Sequence, residues 1–366
     1  MRWFTGARRS FTLLALALVA MFALTTGVAR AYRKQRTSLS ESYAERARDF
    51  ESQGRYDEAI EQYRRALEFD PSDPAFRLEL ARALLQTGRF SEAEAHLAEL
   101  HEEDPTDAVV NLTLARAYAR QNKIRDAVSW YHRAVYGLWS SNAVQNRVQA
   151  RLELIHLLAR HNDRKQVIGE LMELYAEAPE DARLRLQVGR MLLQFGAPAN
   201  AEDVLRDVVG ANARFLEAWQ ALADAQVAEG KYVDARNSLR HAWHLSPHDQ
   251  NLWKRIETVN DIIALDPALP TLTSAERLTR ATELLSRSLD AVQSCAAGKT
   301  LSDPQQKDIA AANDILHPKR KLPREGLIPR TIALAVQLGH DRGELCGNAP
   351  PDPVLAAVLT MVEKQP

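Results

Sequence analysis

Residues 40–107 read SESYAERARDFESQGRYDEAIEQYRRALEFDPSD and then PAFRLELARALLQTGRFSEAEAHLAELHEEDPTD, two consecutive runs of 34 residues. Set one under the other, Gly54, Tyr56, Ala59, Tyr63, Ala66 and Pro71 meet Gly88, Phe90, Ala93, Leu97, Leu100 and Pro105 at positions 15, 17, 20, 24, 27 and 32. The stretch is a repeat. Positions 4, 7, 8 and 11 (Tyr43, Arg46, Ala47 and Phe50, then Arg77, Leu80, Ala81 and Leu84) fall along one face of a helix, and positions 20, 24 and 27 make a second stripe. Gly at position 15 suits a left-handed helix stop, and Pro at position 32 ends the second helix. Small alanines at positions 8 and 20 let the two helices approach closely. Each unit is expected to be a helical hairpin.

The pattern resembles the tetratricopeptide repeat, which carries a bulky residue at 4, a small one at 8, Gly at 15, aromatics at 17 and 24, alanines at 20 and 27, and Pro at 32. In that register a third unit starts at Ala108, with Asn122 for Gly and Trp139 for the terminal Pro. Residues 142–147 slip out of phase, and a fourth unit resumes at Val148 with Asn162 at the turn. A weaker fifth starts at Ala182, with Pro198 where an aromatic is usual, and a strong sixth starts at Leu216 with Trp219, Gly230, Tyr232 and Pro247. Residues 250–263, with Trp253 placed 34 after Trp219, look like one more first helix capping the array. The resemblance implies an all-α fold: a right-handed α-solenoid of about six tetratricopeptide hairpins, a capping helix and a small helical C-terminal domain. The expected domains are a signal peptide or signal anchor at 1–31, a flexible linker at 32–39, the solenoid with its capping helix at 40–263, and a helical C-terminal region at 264–366.

The first 31 residues have a basic start, an apolar core from 11 to about 24, and Ala29-Arg30-Ala31 as a small-x-small cleavage site. A cleaved export signal is expected, with an uncleaved anchor as the alternative. Arg8-Arg9-Ser10-Phe11 resembles a twin-arginine signal, and general secretion fits equally. Either route places the repeats outside the cytoplasm, in the periplasm or secreted. The basic residues Arg33, Lys34 and Arg36 leave a membrane-surface contact open for residues 1–36.

Composition narrows the function. With 46% hydrophobic and 26% charged residues the chain can build cores, and a net charge of -1 leaves no basic excess for nucleic acid. Without Arg2, Arg8, Arg9 and Arg30, the body holds 43 basic against 48 acidic side chains.

The family resemblance implies a concave groove lined by positions 2, 5, 9 and 12 of each first helix. Position 9 holds Arg48, Arg82, Arg116, His156, Arg190 and Asp224, and position 5 holds Ala44, Leu78, Leu112, Leu152 and Leu186. Rows of guanidinium groups beside leucines suit a polypeptide with acidic and apolar side chains, since arginine grips carboxylates bidentately. The other reading is that these arginines sit on helix surfaces paired with Glu45, Glu79 or Glu153. The family's clamp for chaperone tails needs Lys and Asn where Ala44, Arg48, Glu79, Val109 and Thr113 stand, so chaperone-tail binding is not expected. The aromatic run 136–139 beside the slip is expected to be a lengthened turn packed on the next hairpin; an exposed partner anchor is the alternative.

Beyond 266 the repeat ends, and Thr273 with Glu276 forms a capping box opening a helix. A basic loop carrying Lys319, Arg320, Lys321 and Arg324, and two short helices near 330–339 and 353–363, are expected to follow. Cys295 and Cys346 can pair if the compartment oxidises. Gly298-Lys299-Thr300 lacks the earlier glycine of a phosphate loop, and His241, His244 and His248 have no carboxylate or thiolate set to complete a metal shell. No metal, cofactor or catalytic motif is found. The expectation is a non-enzymatic interaction scaffold of the cell envelope that binds another exported or envelope protein. The alternatives are a membrane-tethered assembly factor for envelope proteins or polysaccharide export, and a C-terminal ligand-binding or enzymatic domain recruited by the repeats.

Overall fold

The computed structural model describes residues 3–177, 181–318, 325–347 and 352–364, with side chains from Leu18 onward. The expected basic loop at 319–324 lies outside the described residues. The described chain is all-α, with one isolated backbone bridge and no strand. It divides into two compact units, residues 1–170 and 171–366.

Unit 1 is a stack of helical hairpins. Helix α1 (Trp3–Ser52) packs on α2 (Tyr56–Phe69), α2 on α3 (Pro74–Gln86), and so on through α4 (Phe90–Glu103), α5 (Ala108–Arg120), α6 (Ile124–Tyr136) and α7 (Ala143–Arg160). The small residues at positions 8 and 20, Ala47, Ala59, Ala81 and Ala93, are fully buried where helices meet. Position 15 takes a positive φ at Gly54, Gly88, Asn122 and Asn162, and also at Gly196 and Gly230 in unit 2. Asparagine holds this left-handed turn because its short polar side chain tolerates it. The aspartate that ends a unit caps the next helix: Asp73 accepts from the amides of Ala75 and Phe76, and Asp107 from those of Val109 and Val110.

Two expectations fail here. Residues 32–39, read as a flexible linker, are helical within α1, because their charged side chains are compatible with helix and no Pro breaks it. Nor is the slip a simple lengthened turn. Residues 143–147 extend α7 at its N-terminus, and the turn ends at Asn142, which is left-handed. In that turn the Leu138 amide donates to the Thr106 carbonyl at 2.8 Å and its carbonyl accepts from the Ala108 amide at 3.1 Å. A Cβ at Gly137 would lie 2.8 Å from the Arg133 carbonyl oxygen and 2.9 Å from that of Thr106, so only glycine allows this approach. Trp139 is half-buried, but Tyr136 and Leu138 stay 63% and 70% exposed instead of packing inward.

Unit 2 begins within α8 (Arg164–Glu177) and continues through α9 (Ala182–Gln194), α10 (Pro198–Ala211), α11 (Leu216–Ala228), α12 (Tyr232–Leu245) and α13 (Gln250–Leu265). Pro198 starts α10, where its missing N–H costs nothing. Four further helices follow: α14 (Ser274–Ala296), α15 (Asp303–Leu316), α16 (Leu327–Cys346) and α17 (Pro353–Glu363). The third is longer than its sequence expectation. The Thr273–Glu276 capping box is formed at α14. Helix α13 is shared by two cores. Leu252, Ile256 and Val259 pack with α11 and α12, while Ile262 and Leu265 pack with Leu284, Leu338, Leu355 and Val358 of the following helices. The expected boundary at 263/264 therefore falls inside a continuous unit. Cys295 and Cys346 form a disulfide that ties the ends of α14 and α16, with Cα atoms 5.3 Å apart.

Candidate functional site

In unit 1 the position-9 side chains gather into two charged clusters. In the first, Arg82 pairs with Glu79 at 2.9 Å, and Tyr63 donates to Glu51 at 3.0 Å. Burial raises the Glu51 carboxyl above its ordinary value, against the pull of Arg82 and Arg48, which both face it. Arg48 is exposed, and among the described residues its side chain makes no hydrogen bond or ion pair. In the second, Arg116 binds Glu153 bidentately, Nε to Oε2 at 2.9 Å and Nη2 to Oε1 at 2.8 Å. Burial alone would raise Glu153, but the hydrogen bond from Arg116 holds it below its usual value. Burial, with Glu153 beside it, pushes the Tyr131 hydroxyl up to about 12. Half-buried Leu78 and Leu152 lie on the same helix stripe, and His156 is exposed.

Residues 51–108 match the tetratricopeptide repeat family. No curated protein matches the chain. Solved structures similar to it include YrrB, described as a TPR protein with an unusual peptide-binding site, at 17% identity over 53% of this chain and 97% of that one, TM-score 0.37. PilW, described as a type IV pilus biogenesis factor, matches at 14% identity over 59% and 98%, TM-score 0.36. The TPR2AB domain of yeast Sti1, described as a complex with pHSP90, matches at 20% identity over 61% and 97%, TM-score 0.27. At these identities the likeness concerns the fold.

The stacking of consecutive hairpins explains why the expected arginine ladder is only partly available. Arg116, at position 9 of its repeat, meets Glu153, at position 6 of the next, across 37 residues. In unit 2 the same two positions meet with the signs exchanged, Asp224 pairing with Arg255. Position 9 is thus a staple between consecutive hairpins in these two places, but an opposite charge at position 6 does not always close it: Glu79 stands at that position for Arg48 and pairs with Arg82 instead. Complementarity between those two positions is only a partial signal in the sequence, since Arg48 and Glu79 have it and do not pair. For Arg190 position 6 of the next repeat is the small, uncharged Ala221, and Arg190 stays exposed, its side chain making no hydrogen bond or ion pair among the described residues, though its charge lies near Asp224. Leu112 and Leu186 are each 6% exposed, more deeply buried than Leu78 and Leu152.

Unit 2 holds a second candidate. A cavity of about 260 Å³ opens between α14, α16 and α17, with Ala291, Val336, Leu355 and Leu359 as apolar walls. Ser288 lines it, 1% exposed, and its hydroxyl has no hydrogen-bond partner. His340 and Glu363 pair at the mouth at 3.1 Å. At Gly343, also lining the cavity, an added Cβ would meet nothing within 4 Å. Among the described residues no cluster of three or more His, Cys, Asp or Glu side chains could hold a metal ion.

Proposed function

We propose that this chain is a non-catalytic scaffold of the cell envelope that holds another polypeptide along the first-helix stripe of unit 1. The observation that carries the reading is the unpaired, exposed Arg48 beside Arg82 and the half-buried Leu78. A carboxylate of an extended partner can take Arg48 directly and compete with Glu79 for Arg82, while Leu78 receives an apolar neighbour. Arg116 is a poorer contact, because engaging it means displacing a bidentate internal partner. The export-like N-terminus and the Cys295–Cys346 pair support a place outside the cytoplasm, where disulfides persist. The partner is read as an exported or envelope protein with an acidic and apolar segment.

The test is quantitative co-purification of partners with the wild type, Arg48→Glu and Leu78→Ser from native membranes and soluble fractions. Loss of one stoichiometric partner in both variants, with unchanged helicity, supports the stripe. An unchanged partner set sinks it.

A second reading has its own observation: the unpartnered Ser288 hydroxyl in the unit 2 cavity suits a small uncharged amphiphile with one hydrogen-bonding group. Gly343→Leu would fill the cavity without a steric clash at Cβ. Binding of a probe such as 1-hexanol, seen as a shift of unit 2 resonances, should vanish in that variant; a shift that persists places the probe elsewhere.

A further inference from the structure

No charged residue stands between Arg9 and Arg30, and those 20 residues would span ~30 Å as a helix, the thickness of a bilayer's hydrocarbon core. Where side chains are described, from Leu18, that helix is bare. Phe22 is 71% exposed and Val19 65% on one face of α1, Leu24 69% lies on the far side, and Met21 and Leu18, both exposed, fall between. Ala20 and Ala23 fill the remaining arc between Val19 and Leu24 and are exposed as well. Ser40 is the first buried residue. A helix that lies on a membrane surface needs a polar face, whereas one that is apolar all round is covered by a protein core or by lipid. No element of unit 1 covers this one. The two hydroxyls among its described side chains are satisfied within the helix: Thr25 donates to the Met21 and Phe22 carbonyls and Thr26 to those of Phe22 and Ala23, at 2.9–3.0 Å. That is the arrangement hydrocarbon demands of a polar side chain. Arg30, Arg33 and Lys34 then follow at headgroup depth.

We propose that the first half of α1 crosses a lipid bilayer and is retained in the mature protein, so that the hairpins of unit 1 start from the membrane on an unbroken helix. Among residues with described side chains no helix is long and apolar enough to cross a membrane, but that set begins at Leu18, midway through the uncharged stretch. The cleavage site expected at Ala29–Ala31 falls inside continuous helix, with no turn to present it as an extended chain. Beyond it, the Arg36 guanidinium donates to the Glu68 carbonyl at 3.1 Å and the Ser40 hydroxyl to that of Ala66 at 2.8 Å. The end of α2 is thereby fixed to α1 within ~10 Å of the apolar segment. The proposal is independent of the groove reading.

The test uses the full chain purified in detergent and reconstituted with phosphatidylcholine vesicles, together with mass spectrometry of the N-terminus from native membranes. The wild type should float with neutral vesicles and resist both high salt and alkaline carbonate. Phe22→Glu with Leu24→Glu, which touch no core residue, should reduce the floating fraction at least tenfold while leaving helicity intact. Native protein should yield peptides that precede Tyr32. A native N-terminus at Tyr32, flotation that salt abolishes, or a double variant that floats like the wild type would each overturn the proposal.

Discussion

Unit 1 buries a charged pair between its hairpins, whereas the last four helices of unit 2, whose repeats bury Glu202 in a pair of their own, rely on an apolar core crossed by a disulfide. In unit 1, Arg151 is 1% exposed, its Nη1 lies 2.6 Å from Glu170, and His132 approaches the same carboxylate at 3.2 Å. In unit 2, Leu284, Leu285, Ala335, Leu338 and Val358 are fully buried, and Cys295 is tied to Cys346 across 51 residues of sequence. The difference follows from how each was assembled. Repeated hairpins meet neighbours that are close in sequence, so a polar pair in a fixed register suffices to specify the contact. Helices α14 to α17 share no repeat, and a covalent link restricts which of them can meet.

The comparison can be broken first at its buried charges. Arg151→Met strands Glu170 in the interior and should cost about 3–5 kcal/mol of unit 1 stability by urea unfolding, while adding Glu170→Leu should recover most of it. A cost below about 1 kcal/mol would mean that the pair is hydrated and not a core element. Next, Cys346→Ser should cost unit 2 about 4 kcal/mol in the chain-entropy model and leave the unit 1 transition in place. Equal loss in both transitions would show that the two units do not unfold separately. Two glycines offer a smaller contrast: Gly137→Ala should cost about 1–3 kcal/mol through its carbonyl clashes. Gly343→Ala, facing open space in a helix, should be neutral or stabilise by up to about 1 kcal/mol.

The smallest effect concerns acid. Burial would raise Glu170, yet the His132 hydrogen bond and Arg151 hold it below its ordinary 4.5. A carboxyl depressed in the folded state stabilises above its unfolded value and loses that contribution as pH falls through the folded one. Unit 1 should therefore weaken below about pH 4.5, and Glu170→Gln should make that slope shallower when unfolding is followed between pH 6 and 3. An identical slope would show that other carboxylates, Glu153 among them, carry the acid response.

The hairpins were legible because their spacing is enforced by sterics at every layer: a left-handed stop at position 15 and small residues at 8 and 20 leave few alternatives. The aspartate caps formed no part of the sequence reading, although Asp73, Asp107, Asp181 and Asp249 recur just before their helices and accept the first amides. The candidate site was harder to read. An arginine looks the same in sequence whether it is open, like Arg48, or closed by a partner 37 residues on, like Arg116. Nor does any period mark Arg151, whose burial depends on Glu170 and on the ring of Tyr136, 5.5 Å from its guanidinium. Helix α13 misled for a related reason: one face finishes the repeats and the other begins the next core, and only contacts distinguish a cap from a bridge.

Because α1 runs unbroken from Trp3 to Ser52, residue count along it is also a compass bearing. Each residue inserted before Ser40 would swing the first hairpin by ~100° about the helix axis and move it ~1.5 Å along. Seven inserted residues, about two turns, would almost restore the bearing ~10 Å farther out. A partner held at a fixed azimuth would notice one added residue more than seven.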